Sequence, residues 1–181
     1  MNSEKISPAG IAEFKFLRQA IVERNCTLWG SETRVDSTTN LLTHAHELHP
    51  MCREQLQCAY REALQLLTPR STNATRKLPA ASRYPAMHKF LRIDQSALMC
   101  PDMIKQLIQT SDTLEQYKQQ LVISVENPLD ALPSPVERRA MVRQLYTLKD
   151  RSGIKLAYNN YKLDTKPADL LIELKLPEFI E

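Results

Sequence analysis

Apolar positions along this chain recur with two different periods, and the alternation between them outlines its elements. Phe14, Leu17, Ile21 and Val22 fall on one face of a helical wheel after a Ser7-Pro8 start, which predicts a helix over 11–25. Thr27 to Asp36, with Leu28, Trp29 and Val35, predicts a short strand. Residues 40–67 predict two helices divided near Pro50. In the second, Leu56, Tyr60, Ala63 and Leu67 repeat at i, i+4, i+7 and i+11. Pro50 suits a first helical turn, where its missing N–H would have no partner anyway. Thr68 to Met87 carries Pro69, Pro79 and Pro85 and predicts a loop.

Beyond residue 88 the pattern becomes regular. Phe90, Leu91 and Ile93 start a strand, and Pro101 opens a helix carrying Ile104, Leu107 and Ile108. Leu121-Val-Ile-Ser-Val125 predicts a buried strand. Ser134-Pro-Val-Glu137 has the spacing of a capping box, in which the serine side chain takes the third backbone N–H of the helix and the glutamate reaches back. Met141, Leu145 and Leu148 give that helix a core face, and Gly153 stands where a left-handed C-cap belongs. Ile154 to Tyr158 predicts a strand, Pro167 to Leu174 a helix, and Glu178 to Ile180 a last short strand. Strand and helix alternate throughout 89–181, which implies βαβ units and a parallel sheet.

Composition adds few constraints. A chain of 181 residues, 43% apolar and 25% charged, can bury the core of one domain. No apolar run reaches the ~18 residues of a membrane span, and the N-terminus lacks a hydrophobic signal core, so a cytoplasmic location is expected. Cys26, Cys52, Cys58 and Cys100 form no CxxC pair and are expected to be reduced and buried. With three glycines and 11 prolines, the chain has no glycine-rich phosphate loop.

The formal charge of +3 is unevenly spread. No acidic residue occurs between Glu62 and Asp94, an interval holding Arg70, Arg76, Lys77, Arg83, Lys89 and Arg92 together with His88. Such a run attracts nucleic acid or an acidic partner, or forms a solvated loop. His44, His46 and His49, with Cys52 and Cys58, are the only cluster of soft-metal ligand types, but their spacing matches no structural zinc signature. Arg139, Arg143 and Tyr146 lie opposite Met141 and Leu145 on the helical wheel, which makes them a candidate partner-binding face.

The order of several short motifs resembles the EAL domain, the cyclic-di-GMP phosphodiesterase family. Gly153-Ile-Lys-Leu-Ala-Tyr-Asn-Asn-Tyr161, followed by Leu176-Pro-Glu-Phe-Ile-Glu181, is similar to that family's Gly-x-x-x-Ala-Leu-Asp-Asp-Phe and, about twenty residues on, Leu-Pro-x-Asp-x-Ile-Lys. Leu91-Arg-Ile-Asp-Gln-Ser-Ala97 with Pro101-Asp-Met-Ile104 resembles its Val-Asn-Leu-Ser-Ala and Pro-Asp-Phe helix start. Leu121-Val-Ile-Ser-Val-Glu126 resembles Leu-Val-Leu-Glu-Ile-Thr. Phe16-Leu-Arg-Gln-Ala20 and Leu56 to Leu67 carry a looser likeness to the opening helix and to the helix before the third strand. The match is loose over 11–88 and clearer over 89–181, and it implies a single EAL-like domain spanning 1–181.

What the resemblance implies is a degenerate member. The family's third-strand metal-binding asparagine corresponds to Asp94, its fourth-strand glutamate to Ser124, its two aspartates to Asn159 and Asn160, and its lysine to Glu181. The Glu-Ala-Leu strand itself is expected to be missing, because few residues separate Asp36 from a helix beginning near Leu41. Hydrolysis needs divalent cations held by anionic oxygens, and the expected cluster falls to one carboxylate. The implied fold is an α/β protein built as an incomplete or rearranged TIM-type βα barrel, shorter than the ~250 residues of a complete one. Such a remnant is expected to leave an apolar interior uncovered. The expectation is therefore a protein without enzyme activity or cofactor that acts by binding a protein partner or a second copy, as a transcriptional, motility or biofilm regulator in a bacterium. A non-hydrolysing cyclic-di-GMP receptor using Asp94, Ser124, Asn159 and Asn160 is the alternative. A nucleic-acid-binding protein using 70–92 is the third, and no membrane role is expected.

Overall fold

The computed structural model describes residues 14–37, 50–68, 87–126, 134–158 and 179–180. Six strands form one sheet in sequence order: β1 (Phe14–Val22), β2 (Leu28–Ser37), β3 (His88–Asp94), β4 (Gln120–Glu126), β5 (Lys155–Tyr158) and β6 (Phe179–Ile180). β1 and β2 are an antiparallel hairpin, and every later pair is parallel. The helices α1 (Pro50–Leu67), α2 (Gln95–Leu98), α3 (Pro101–Gln116) and α4 (Pro135–Ser152) lie between the strands in sequence. The βαβ expectation therefore holds from β3 to β5, with the short α2 added, and β6 pairs parallel to β5. The candidate helices before Pro50 and over 167–174 lie outside the described residues, as do His44, His46 and His49.

The first element overturns an expectation. Residues 14–22 are a strand, not a helix. Asn25 supplies the turn: its Oδ1 accepts the Thr27 N–H at 3.0 Å, Glu23 and Thr27 close the loop through their backbones, and Cys26 takes φ 65°. β1 alternates as an edge strand should. Phe14 and Phe16 pack toward the helix-covered core, while much of the strand is exposed. The register pairs Phe16 with Val35 and Gln19 with Glu32.

One face of the sheet carries Val35, Leu91, Ile93, Leu121, Ile123, Val125 and Leu156 against Leu56, Tyr60, Ala63, Leu107, Leu114, Met141, Leu145 and Leu148 of the helices. Chemistry at the helix ends fixes their boundaries. Ser134 Oγ accepts the Val136 N–H at 3.2 Å with Pro135 at N1, and Gly153 closes α4 at φ 60°. The serine thus caps the second position of the helix, one residue short of the expected third.

The other face is not the uncovered apolar surface expected of a barrel remnant. Its apolar part is a small buried cluster of Phe90, Val122 and Ala157, joined by Ile21 and Trp29. Beyond it the face turns polar, with Glu32, Arg92, Asp94 and Ser124. The cysteines also depart from expectation, since Cys26 and Cys58 are exposed and Cys100 is half-buried, all three as free thiols. Among the described residues no helix is long and apolar enough to cross a membrane.

Candidate functional site

In a parallel sheet the C-terminal strand ends gather side chains from several strands, so ligand chemistry concentrates there. Here the register brings Arg34, Arg92 and Ser124 into one row across β2, β3 and β4, with Ala157 next on β5, and Asp94 opposite Glu126 one step further on. Glu32 comes from the preceding row, which pairs it with Phe90.

Two groups dominate this end. The Arg92 guanidinium reaches Glu32 Oε1 through both Nη2 and Nε, each at 2.9 Å. The side chains are 17% and 9% exposed, so the pair is largely withdrawn from water. Asp94 ends β3 and caps α2: its Oδ1 accepts the Ser96 N–H at 2.8 Å. Its own N–H donates to Tyr60 Oη at 2.9 Å, which ties the strand end to α1. Ser124 is fully buried beside Arg92, and its Oγ has no hydrogen-bond partner among the described residues. Gln95 Oε1, just past Asp94, is likewise buried without one.

The opposite strand ends hold a second polar group. Gly30 lies against His88, and a Cβ there would come within 2.7 Å of the His88 carbonyl oxygen. Trp29 stacks on the His88 imidazole with centroids 4.3 Å apart. Burial lowers the His88 pKa below 6.5, a hydrogen bond with the Trp29 backbone opposes the shift, and the Lys155 charge adds to it. Lys89 is buried on the helix-covered face, where its Nζ lies 3.5 Å from Ser31 Oγ and 3.0 Å from Met87 Sδ. Burial first, and the Arg18 charge second, lower its pKa from 10.5.

The sequence-derived candidates are thus partly brought together. Asp94 and Ser124 share the strand ends, and Asn159 and Asn160 lie outside the described residues. Arg139, Arg143 and Tyr146 are exposed on α4, remote in sequence and layer from the strand ends, with Met141 and Leu145 buried on the other side. Of the basic 70–92 stretch, Lys89 is buried, Arg92 is paired with Glu32, and His88 is stacked on Trp29. These three add little to an exposed basic surface for nucleic acid. Among the described residues no three metal-ligating side chains gather.

Glu32 is the residue that sequence reasoning missed. A helix over 11–25 makes Thr27 to Asp36 the first strand of the chain and leaves no room for a Glu-Ala-Leu strand before a helix beginning near Leu41. With β1 in place, β2 is the second strand, and Glu32-Thr33-Arg34 lies on it. The signal was the turn chemistry of Asn25 between two runs of strand-compatible residues.

The charges decide what these strand ends can hold. A divalent cation needs carboxylate oxygens left available. Glu32 is already neutralised by a guanidinium, Asp94 spends an oxygen on α2, and Ser124 offers a neutral hydroxyl. The described residues therefore do not fit a pair of divalent cations. A wider cavity, about 490 Å³, opens where α3 and α4 end, but Asp112 and Glu115 there are balanced by Lys118 and Arg151.

No protein-family model matches the chain, and no curated protein matches it. Among solved structures, the fold is similar to a Vibrio cholerae LapD S helix-GGDEF-EAL structure bound to c-di-GMP, with a TM-score of 0.51 and 14% identity. The similarity covers 92% of this chain and 38% of that one. At this identity the likeness is one of fold: a mixed α/β architecture shared with a protein that contains an EAL domain.

Proposed function

We propose that this chain is a non-catalytic, EAL-like α/β protein, an incomplete version of the family's βα barrel, that regulates by binding another protein. The observation that carries the non-catalytic half is the Glu32–Arg92 pair at 2.9 Å. It puts a fixed cation where metal-dependent hydrolysis would need free anionic oxygens.

The binding half rests on α4. Val136, Arg139, Arg143 and Tyr146 follow one another at i, i+3, i+7 and i+10 and form one exposed stripe, with Val136 68% and Tyr146 37% exposed. α4 carries five basic residues and two acidic ones, an excess equal to the whole chain's +3. Arginine and tyrosine around an exposed aliphatic side chain are the residue types that anchor interfaces, and the charge selects an acidic protein surface.

The reading is tested by placing a photo-crosslinking residue at Tyr146 or, as a control, at Leu66 in cells. A single protein captured at Tyr146, not at Leu66, and lost in R139E/R143E supports it. Equal capture at both positions refutes the α4 face. Purified protein with Mn²⁺ should leave cyclic-di-GMP intact, and turnover abolished by E32Q would refute the non-catalytic half. Because the structural neighbour is bound to c-di-GMP, calorimetry with that nucleotide separates the receptor alternative: binding tighter than about 1 μM would favour it over protein binding.

A further inference from the structure

The outer flanks of α1 and α3 enclose a groove of about 290 Å³ on the helix side of the sheet. It lies across the sheet from Glu32 and Arg92 and apart from the α4 stripe. Its walls are two helical stripes. Arg61, Leu64 and Gln65 run along α1 with Thr68 just past its end, and Gln106, Gln109, Thr110 and Thr113 face them from α3. Each set spans i to i+7, so the side chains of each helix project to one side.

Three features separate this groove from an ordinary helix–helix seam. Most of its described wall residues are polar, with Leu64 the single aliphatic one among them. Among the described residues that line it, the one charged residue is Arg61 and none is a carboxylate. The Arg61 Nε is buried and has no hydrogen-bond partner among the described residues. A buried donor on a charged group without an acceptor is costly, and the relief is an anionic oxygen.

The remaining wall chemistry narrows the ligand. Thr68 and Thr113 donate their hydroxyl protons to the Gln65 and Gln109 carbonyl oxygens at 2.8 Å each. They therefore present lone pairs to the groove, while the glutamine amides offer N–H donors and carbonyl oxygens. We propose that this groove binds a small molecule through an anionic oxygen group, a carboxylate or a phosphate, seated on Arg61, with hydroxyl or amide donors on the rest of the molecule meeting the threonine and glutamine oxygens. The volume is near the lower end for ligand pockets, which suits a compact metabolite and not a dinucleotide.

The test is a titration of the ¹⁵N-labelled full chain, following the Arg61 Nε–Hε signal and the glutamine side-chain amides. Sodium phosphate and sodium malate are added separately, against sodium chloride at matched ionic strength. The expected result is a saturable shift at Arg61 with a Kd of about 1 mM or tighter for at least one of the two. Saturation by phosphate alone assigns a phosphate-bearing ligand, and by malate alone a carboxylate. R61Q is expected to weaken binding at least about tenfold, the loss of one charge-assisted hydrogen bond. R61K, which keeps the charge without the fork, should fall between, and K105Q on the exposed flank of α3 should bind as wild type does. No saturable shift with either anion overturns the proposal. So does saturation that is equal in wild type, R61K and R61Q.

Discussion

Removing Arg92 should damage the fold more than its position on an open sheet suggests. Arg92→Met keeps most of the side chain's volume and deletes its charge, leaving the Glu32 carboxylate, 9% exposed, without its cation. Breaking a buried ion pair by removing one partner typically costs about 3–5 kcal/mol, because a buried charge loses its compensation. An exposed pair would cost only about 0.2–1 kcal/mol. The two contacts at 2.9 Å and the low exposure of both groups place this pair with the former. Against a domain stability of about 5–15 kcal/mol this is a large share. At roughly 2–4 °C per kcal/mol for a chain of this size, Tm should fall by about 6–20 °C. The double variant E32M/R92M removes both charges together. It should recover to within about 1 kcal/mol of wild type, since a buried pair replaced by apolar groups of similar volume is often neutral. Urea unfolding of the four proteins, followed by circular dichroism, closes the cycle. Loss of under 1 kcal/mol in R92M, or a double variant no more stable than the worse single one, would refute the assignment of a buried pair.

Ser134→Ala should cost about 1 kcal/mol through the lost cap on α4, measurable as a lower urea midpoint at unchanged slope. Gly30→Ala should cost about 1–3 kcal/mol, because its new methyl would meet the His88 carbonyl oxygen at 2.7 Å and push β2 from β3; an unchanged Tm would count against that contact. The emission of Trp29, the single tryptophan, should be quenched as His88 gains its proton, with a midpoint below 6.5. As the unfolded chain takes that proton first, stability should fall as pH drops from 6.5 to the folded value, and a midpoint at or above 6.5 would be the wrong sign. For Lys89, also lowered, the unfolded chain holds more protons between the folded value and 10.5, so stability rises with pH there. K89M should exceed wild type at neutral pH and lose that advantage toward 10.5, whereas parallel pH curves would contradict the burial argument.

The elements from β3 to β5 were legible because local and long-range signals agree there. Buried parallel strands read as continuous apolar runs, and α3 and α4 open on prolines and bury apolar stripes such as Met141, Leu145 and Leu148. β1 was misread because an edge strand buries few side chains, and its apolar residues fit either period. Phe14 and Phe16 alternate, yet Phe14, Leu17 and Ile21 also fall on a helical face. That single error hid Glu32, since it shifted the strand count by one. Asp94 and Ser124 could be placed on strand ends from sequence, but their chemistry could not. That Asp94 caps α2, a four-residue helix with no periodicity to read, depends on the backbone direction after β3. The expected apolar interior failed for a similar reason. Alternation says which residues share a face, and on this face Phe90 and Val122 are followed by Arg92 and Ser124.

The Glu32–Arg92 pair also shows what a largely buried carboxylate on this sheet is balanced by. A buried carboxylate needs a nearby positive charge and filled hydrogen-bond positions. A divalent cation supplies the charge and, in addition, an open coordination position where water can be activated. A guanidinium supplies charge and directed N–H donors but no such position. On the proposed reading, Arg92 does the structural half of a metal's work and none of its chemistry. The register of β2 and β3 is kept, Glu32 stays paired and buried, and among the described residues no side chain is set up beside it as a nucleophile. On the same reading function comes from surfaces that the sheet holds in place, and among the described residues the α4 stripe and the Arg61 groove are the proposed ones.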